Sequence, residues 1–404
     1  MDHRICPLIL SLTIILLITN DCHGRFYGRP FVDQDLESTN PIDMDDQLEA
    51  QGRLSSSSSS GANELLYLTS KHAKENREWA LQAQKHHFDQ LLGQVSGVAA
   101  TKDFLYIFHR GNITWDQSSF NDDNIYQHQD RPVNVDTIVA VDLENADVMF
   151  SWGKDRFYLP HGISVDPQGN LWLTDVALHQ AFRYKNNNFE QADLVLGERF
   201  VPGSDSNHFC KPTDVAVAST GTVYISDGYC NSRIVVFTPN GHYVTEFANN
   251  DNLRTPHSLA LLENEDLICV ADRENDRIMC YSAGLTSSIS SDVIRRPPGL
   301  LLFELEQSEL RKVYAIAHFG DVILALNGGP QSTVGISIDL GTEQIVDVWS
   351  PQNGSFYDAH DLSLTPNGRT FFVCQLSSTS SSLNNNQSKI LKFDLEDYPV
   401  FISE

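Results

Sequence analysis

Three histidines stand at matching places in separate stretches of the chain: His161 in LPHGIS, His257 in TPHSLA and His360 in DAHDLS. Thr213 holds the same place in KPTDVA. One histidine at the start of a strand is an ordinary polar turn residue. Three in the same register are better explained by a shared ligand. Imidazoles with no thiolate beside them suit zinc or another transition metal, and three protein ligands leave one position open, as catalytic sites require. Asp175, Asp227 and Asp272 also recur, each ending the next apolar run. A carboxylate repeated in this way reads as a turn-former rather than a catalyst. His86 and His87 read as solvated residues of a helix.

The elements that must position these residues are short strands. The stretch His208 to Phe237, HFCKPTDVAVASTGTVYISDGYCNSRIVVF, has apolar runs of strand length broken by Thr220-Gly221 and by Asp227-Gly228. One such unit cannot bury both of its faces, so its recurrence decides the fold. Related units start at Ser96, Pro160, Pro212, Pro256, Val313 and Ala359. Six units predict an all-β, six-bladed β-propeller of NHL-like repeats, in which radial closure removes the exposed sheet edges. The segments from Gly111 to Tyr158 and from Ser282 to Pro298 read as insertions between blades. Equivalent innermost positions of a propeller face one central channel, where the three histidines would meet.

The rest of the chain bounds the setting. Of its 404 residues, 1–24 have the layout of a signal peptide, with an apolar core too short to span a membrane comfortably. Residues 25–73 are acidic and serine-rich and read as a disordered leader. Residues 74–94 are expected to form a short helix, with Trp79, Leu81, Phe88, Leu91 and Leu92 as its apolar stripe, and 95–404 to form the propeller. A net charge of −25 argues against nucleic acid or anionic membrane as partners. No later stretch reads as a membrane span, so a secreted protein, or one in the secretory-pathway lumen, is expected. Seven cysteines fit an oxidising compartment. Cys210/Cys230 and Cys269/Cys280 are plausible bridges, and Cys374 is left without an obvious mate. Asn112, Asn353 and Asn386 head glycosylation sequons.

The stretches FHRG, LPHG, TDVALHQ, NHFC, PTDVAV, SDGYCNSRIV, PHSLAL and CVADREN resemble those of peptidyl-α-hydroxyglycine α-amidating lyases, from about Val95 to Glu396. The resemblance implies zinc on His161, His257 and His360. It implies structural calcium on the carbonyls of Val98 and Ile163 and the carboxylate of Asp361. It also implies the bridges Cys210–Cys230 and Cys269–Cys280, and Tyr229, Arg110 and Arg273 as catalytic residues. The reaction it implies splits a peptidyl-α-hydroxyglycine into a C-terminally amidated peptide and glyoxylate, the last step of neuropeptide and peptide-hormone amidation. Tyr229 would act as base, Arg110 beside it would favour the phenolate, and Arg273 would hold the substrate carboxylate. Asp358-Ala359 stand where the family often has Met-Pro, with the methionine near the substrate. No segment resembles the copper monooxygenase domain that accompanies such lyases elsewhere. A stand-alone, monomeric lyase is therefore expected, supplied by a separate peptidylglycine monooxygenase. The rival readings are a lactonase-like propeller hydrolase, against which the three histidines argue, and a non-catalytic extracellular propeller.

Overall fold

The computed structural model describes residues 68–85, 92–285, 296–329, 333–352, 354–376 and 389–400. The described residues form six four-stranded antiparallel sheets, the blades of a propeller. The innermost strands of blades I to VI are Val95–Ala100, Pro160–Val165, Pro212–Val217, Pro256–Leu262, Val313–Phe319 and Ala359–Leu364, and they touch one another in a closed cycle. Second strands such as Leu171–Asp175, Val223–Asp227 and Leu267–Asp272 are buried along their whole length, which is why they read as continuous apolar runs. Outermost strands such as Val148–Trp152 and Tyr243–Phe247 are largely exposed, and carry a weaker pattern.

The same clamp sets the start of the inner strand in every blade. The residue two places before that strand donates its backbone N–H to the side chain that ends the second strand. The pairs are Gly93 to His109 Nδ1 (3.2 Å), Tyr158 to Asp175 (2.7 Å), Cys210 to Asp227 (2.7 Å), Arg254 to Asp272 (2.6 Å), Arg311 to Asn327 (2.9 Å) and Tyr357 to Gln375 (2.7 Å). The recurring aspartates are thus turn-formers, and blades I, V and VI do the same work with a different acceptor. His109 pairs with Val95 as Asp175 pairs with Pro160 and Asp272 with Pro256. Arg110 and Arg273 therefore share the next position, and Tyr229 lies one further on.

Other expectations shift. Gly111 to Tyr158 is no insertion between blades, because Ile138–Asp142 and Val148–Trp152 are the third and fourth strands of blade I. Only residues 111–137 are extra, and they lie within that blade. Ser282 to Pro298 likewise falls inside blade IV, between Arg277–Ser282 and Leu301–Leu305. Residues up to 67, which include the expected signal peptide and most of the leader, lie outside the described residues.

Leu68–Glu75, placed in the leader and at the start of the helix by sequence, is instead a strand. It pairs antiparallel with Ile390–Val400 and supplies the outermost strand of blade VI, whose other three strands come from the C-terminal end. Among the described residues the helix spans Arg77–Lys85, and His86, His87, Phe88 and Leu91 lie outside them. Asn76 starts it by accepting the N–H of Trp79 (3.1 Å). Trp79 and Ala83 are buried, and Trp79 meets Phe372 edge-on at 5.3 Å between centroids. Leu81, expected in the apolar stripe, is 64% exposed, and buried Leu92 lies beyond the helix.

Candidate active site

The second residue of each inner strand faces the channel at one level. Around the ring these are Ser96, His161, Thr213, His257, Tyr314 and His360. The histidines occupy alternate blades, II, IV and VI. Each ring reaches one blade onward: Nδ1–H of His161 donates to the Thr213 carbonyl (2.9 Å), that of His257 to Tyr314 (2.6 Å) and that of His360 to Ser96 (2.7 Å). A carbonyl only accepts, so the proton sits on Nδ1 and the Nε2 lone pair is left bare. The ring centroids lie 4.9, 5.0 and 4.9 Å apart. All three are buried, and their ligand atoms lie within 4.8 Å of one another. Burial, helped by the charge of Arg110, lowers the pKa of His161 to about 3. Burial followed by nearby Arg273 pushes His257 well down, and burial followed by His161 does the same to His360. Three buried, neutral imidazoles locked in one tautomer are a donor set that fits a single metal ion.

One residue deeper, two carboxylates lie in opposite blades. Asp361 of blade VI accepts the N–H groups of Val98 (2.9 Å) and Leu362 (2.9 Å). Asp214 of blade III accepts those of Leu259 (2.9 Å) and Val215 (2.7 Å). Both line the small cavity, of about 10 Å³, that also touches the histidines. Burial pushes Asp214 up to about 6. Burial, then the charge of Asp214, drives Asp361 well above the usual carboxylate range. Val98 and Ile163 stand at equivalent places in blades I and II, two residues beyond the ring position.

Tyr229 hangs over the histidines. Its hydroxyl lies 2.9 Å from Nε2 of His161 and 3.2 Å from Nε2 of His257, and accepts a hydrogen bond from Nη1 of Arg273 at 3.2 Å. The neighbouring Cys230 is bridged to Cys210, which fixes the loop. The second bridge, Cys269–Cys280, links directly paired residues in the middle of blade IV. Cys374 is buried and free. Of the three sequons, Asn112 is exposed, while Asn353 and Asn386 lie outside the described residues.

The two arginines differ in how they are held. Arg273 lies between two aromatic faces, 5.1 Å from the Tyr229 centroid and 4.7 Å from that of Tyr314. Its Nε and Nη2 both meet Glu274 at 3.0 Å, and Glu274 is held in turn by Lys312 at 2.8 Å. Burial lowers the pKa of Arg273, but Tyr229, Tyr314 and Glu274 outweigh it and keep the net shift upward. Arg110 is 2% exposed. Its Nε donates to the Pro160 carbonyl (3.0 Å) and its Nη1 to Gln94 Oε1 (3.0 Å), while Nη2 is buried with no hydrogen-bond partner. Burial lowers its pKa to about 10, which leaves it charged at neutral pH. The arginine hydrogen-bonded to the phenol is therefore Arg273, and the one with unused donors is Arg110.

Four residues of the site escaped the sequence reading. Tyr314 completes the ring in blade V, and carrying the repeat register through VYAIA would have found it. Asp214 was findable in the same way, as the counterpart of Asp361. Trp115 meets Tyr229 at a tilt, 4.7 Å between centroids, and lies under Arg110 at 5.4 Å, but it sits in the extra segment of blade I and has no repeat register. Gln94 anchors both Arg110 and the backbone N–H of Trp115 (3.3 Å), and precedes the first strand.

Residues 209–237 match the NHL repeat. The chain is 37% identical over 320 residues to peptidyl-alpha-hydroxyglycine alpha-amidating lyase 2 of Drosophila melanogaster, with 77% of this chain and 73% of that one covered. To the fly's lyase 1 it is 33% identical over 311 residues, covering 70% of this chain and 56% of that one. To the peptidylglycine alpha-amidating monooxygenase of Rattus norvegicus it is 41% identical over 298 residues, covering 70% of this chain but only 29% of the rat protein. A propeller with this ring, matched at this level over most of its length, belongs to the peptidyl-α-hydroxyglycine α-amidating lyase family.

Proposed function

We propose that this chain cleaves peptidyl-α-hydroxyglycines to a peptide amide and glyoxylate, with zinc on His161, His257 and His360. The observation that carries the reading is the meeting of three bare Nε2 atoms with the hydroxyl of Tyr229 at 2.9 and 3.2 Å from two of them. Zinc bound there would supply Lewis-acid polarisation of a substrate oxygen.

The protein's own groups account for the rest. Arg273, hydrogen-bonded to the Tyr229 oxygen, holds that oxygen over the histidines, where it would take the proton of the α-hydroxyl as the base. As the C–N bond breaks, that proton returns to the leaving amide nitrogen, and no oxidant or reductant is needed. Arg110 offers its unused Nη2 to the substrate carboxylate. This exchanges the roles that the sequence alone suggested for the two arginines. Trp115 and Tyr314 wall the site and restrict water.

Calcium is proposed one level deeper, where Asp361 and Asp214 are half-buried with no cation partner among the described residues. Hard carboxylate and carbonyl oxygens, those of Val98 and Ile163 included, suit that ion. Two disulfides are consistent with a secreted or lumenal protein, and no helix among the described residues is long and apolar enough to cross a membrane. Secretion, and supply of the substrate by a separate peptidylglycine monooxygenase, complete the proposal.

The test is glyoxylate release from a short α-hydroxyglycine peptide by the purified chain, before and after chelation and with zinc restored. Activity lost on chelation and recovered with zinc is expected. Full activity in metal-free protein, with a retained metal excluded by elemental analysis, would sink the zinc assignment.

A further inference from the structure

We infer that Asp358 selects for a cationic side chain on the residue preceding the hydroxyglycine of the substrate. The inference rests on the lyase reading above and adds the class of peptide that the site prefers.

Asp358 lies two residues before His360, at the start of blade VI. Its backbone is in the left-handed region (φ 49°), as are Lys211 (62°), Thr255 (61°) and Lys312 (42°) at the same place in blades III, IV and V. The conformation is held from both sides: the Asp358 N–H donates to the Gly329 carbonyl (3.1 Å), and its carbonyl accepts from Leu376 (2.9 Å). The long polar side chains at the equivalent places are all tied down. Lys312 holds Glu274 (2.8 Å), Lys211 holds Asn124 (2.8 Å), and Gln94 accepts from Arg110 (3.0 Å).

The carboxylate of Asp358 is half-buried and makes no hydrogen bond or ion pair with any described residue. Its backbone partner Gly329 and the adjoining Gly328 pack against the ring of Tyr314, which sets Asp358 beside that phenol, and its charge acts on it. The Tyr314 ring borders the site, 5.0 Å from His257, 5.6 Å from His360 and 4.7 Å from Arg273. Among the described residues neither neighbouring cation pairs with it, because Arg273 and Lys312 both bind Glu274.

The site therefore carries two guanidinium groups, and a carboxylate with no partner among the described residues stands beside its Tyr314 wall. A peptide whose terminal carboxylate enters towards Arg110 leaves the side chain of its preceding residue further out. A lysine or arginine there meets Asp358, an acidic side chain meets like charge, and a neutral one meets neither.

The experiment measures kcat/KM for α-hydroxyglycine peptides that differ only in the preceding residue: lysine, its neutral near-isostere norleucine, and glutamate. A half-exposed ion pair is worth up to about fivefold, so the lysine peptide should exceed the norleucine peptide by about that factor at low salt, with a smaller ratio at high salt. Asp358→Asn should bring the lysine-to-norleucine ratio close to one, and Asp358→Lys should favour the glutamate peptide. The norleucine rate in each variant controls for folding and metal content. A ratio that survives Asp358→Asn, or wild-type rates that do not differ among the peptides, overturns the inference and leaves the lyase reading intact. No turnover of any peptide by the wild-type chain removes both.

Discussion

Replacing Tyr229 by phenylalanine isolates the proposed base. The change removes one oxygen and leaves the ring against Trp115 and beneath Arg273, on a loop still pinned by Cys210–Cys230. Arg273 loses its 3.2 Å hydrogen bond to the phenol but keeps Glu274, so the cost to folding should be only about 1 kcal/mol. The rate should respond quite differently. Loss of a general base costs about two to four orders of magnitude, equivalent to about 3–5 kcal/mol in the barrier. Turnover should collapse while KM changes little, because Arg110 and the metal ligands are untouched. The assay is steady-state glyoxylate release on the zinc-loaded variant. Metal content has to be measured in parallel, because the lost hydroxyl lies beside Nε2 of two histidines. Near-normal kcat with full zinc occupancy would refute Tyr229 as the base.

Three further outcomes are expected. Arg110→Ala should raise KM more than it lowers kcat, and Arg273→Ala should do the reverse; steady-state kinetics with one peptide separates them, and the opposite pattern would restore the roles first suggested by sequence. Reducing or deleting Cys210–Cys230, which spans 20 residues, should cost about 3 kcal/mol in denaturant unfolding and lower turnover through Tyr229. Burial lowers the pKa of His109 from 6.5 to about 4, so between those values the unfolded chain binds a proton that the folded one refuses. Stability is then full above pH 6.5, falls as the pH drops towards 4 and loses no more below it, by up to about 3 kcal/mol for this residue. His109→Gln should keep the clamp, as Gln375 does in blade VI, and weaken that acid sensitivity in unfolding titrations.

What the sequence disclosed followed from burial. Inner and second strands pack between blades and are apolar enough to be seen, so the repeat and the histidine register were legible. LTSKHAKE is polar and lies on the outside of blade VI, held by backbone pairing that needs no particular side chains, so nothing marked it as a strand. In blade I the third strand, Ile138–Asp142, is apolar and buried, but residues 111–137 separate it from Phe104–His109, so it and the exposed Val148–Trp152 passed for an insertion. Which arginine serves the phenol could not be read from position alone, because Arg110 and Arg273 occupy the same register. Their partners decide it: Gln94 and Pro160 for one, Tyr229 and Glu274 for the other.

The strand Leu68–Glu75 gives the molecule a late step in its folding. It joins Ile390–Val400 across contacts such as Lys74 to Glu396, 322 residues apart. Closing a loop of that length costs about 5 kcal/mol in chain entropy before any pairing offsets it. During synthesis five blades can assemble, and both disulfides can form locally, while the N-terminal strand still waits for a partner that the ribosome has not yet made. His360 and Asp361 belong to that final blade, so the third histidine arrives only with it. The ring and its candidate metal site are completed in one event, and metal uptake by the nascent protein, if the three histidines hold one, should time the closure of the circle.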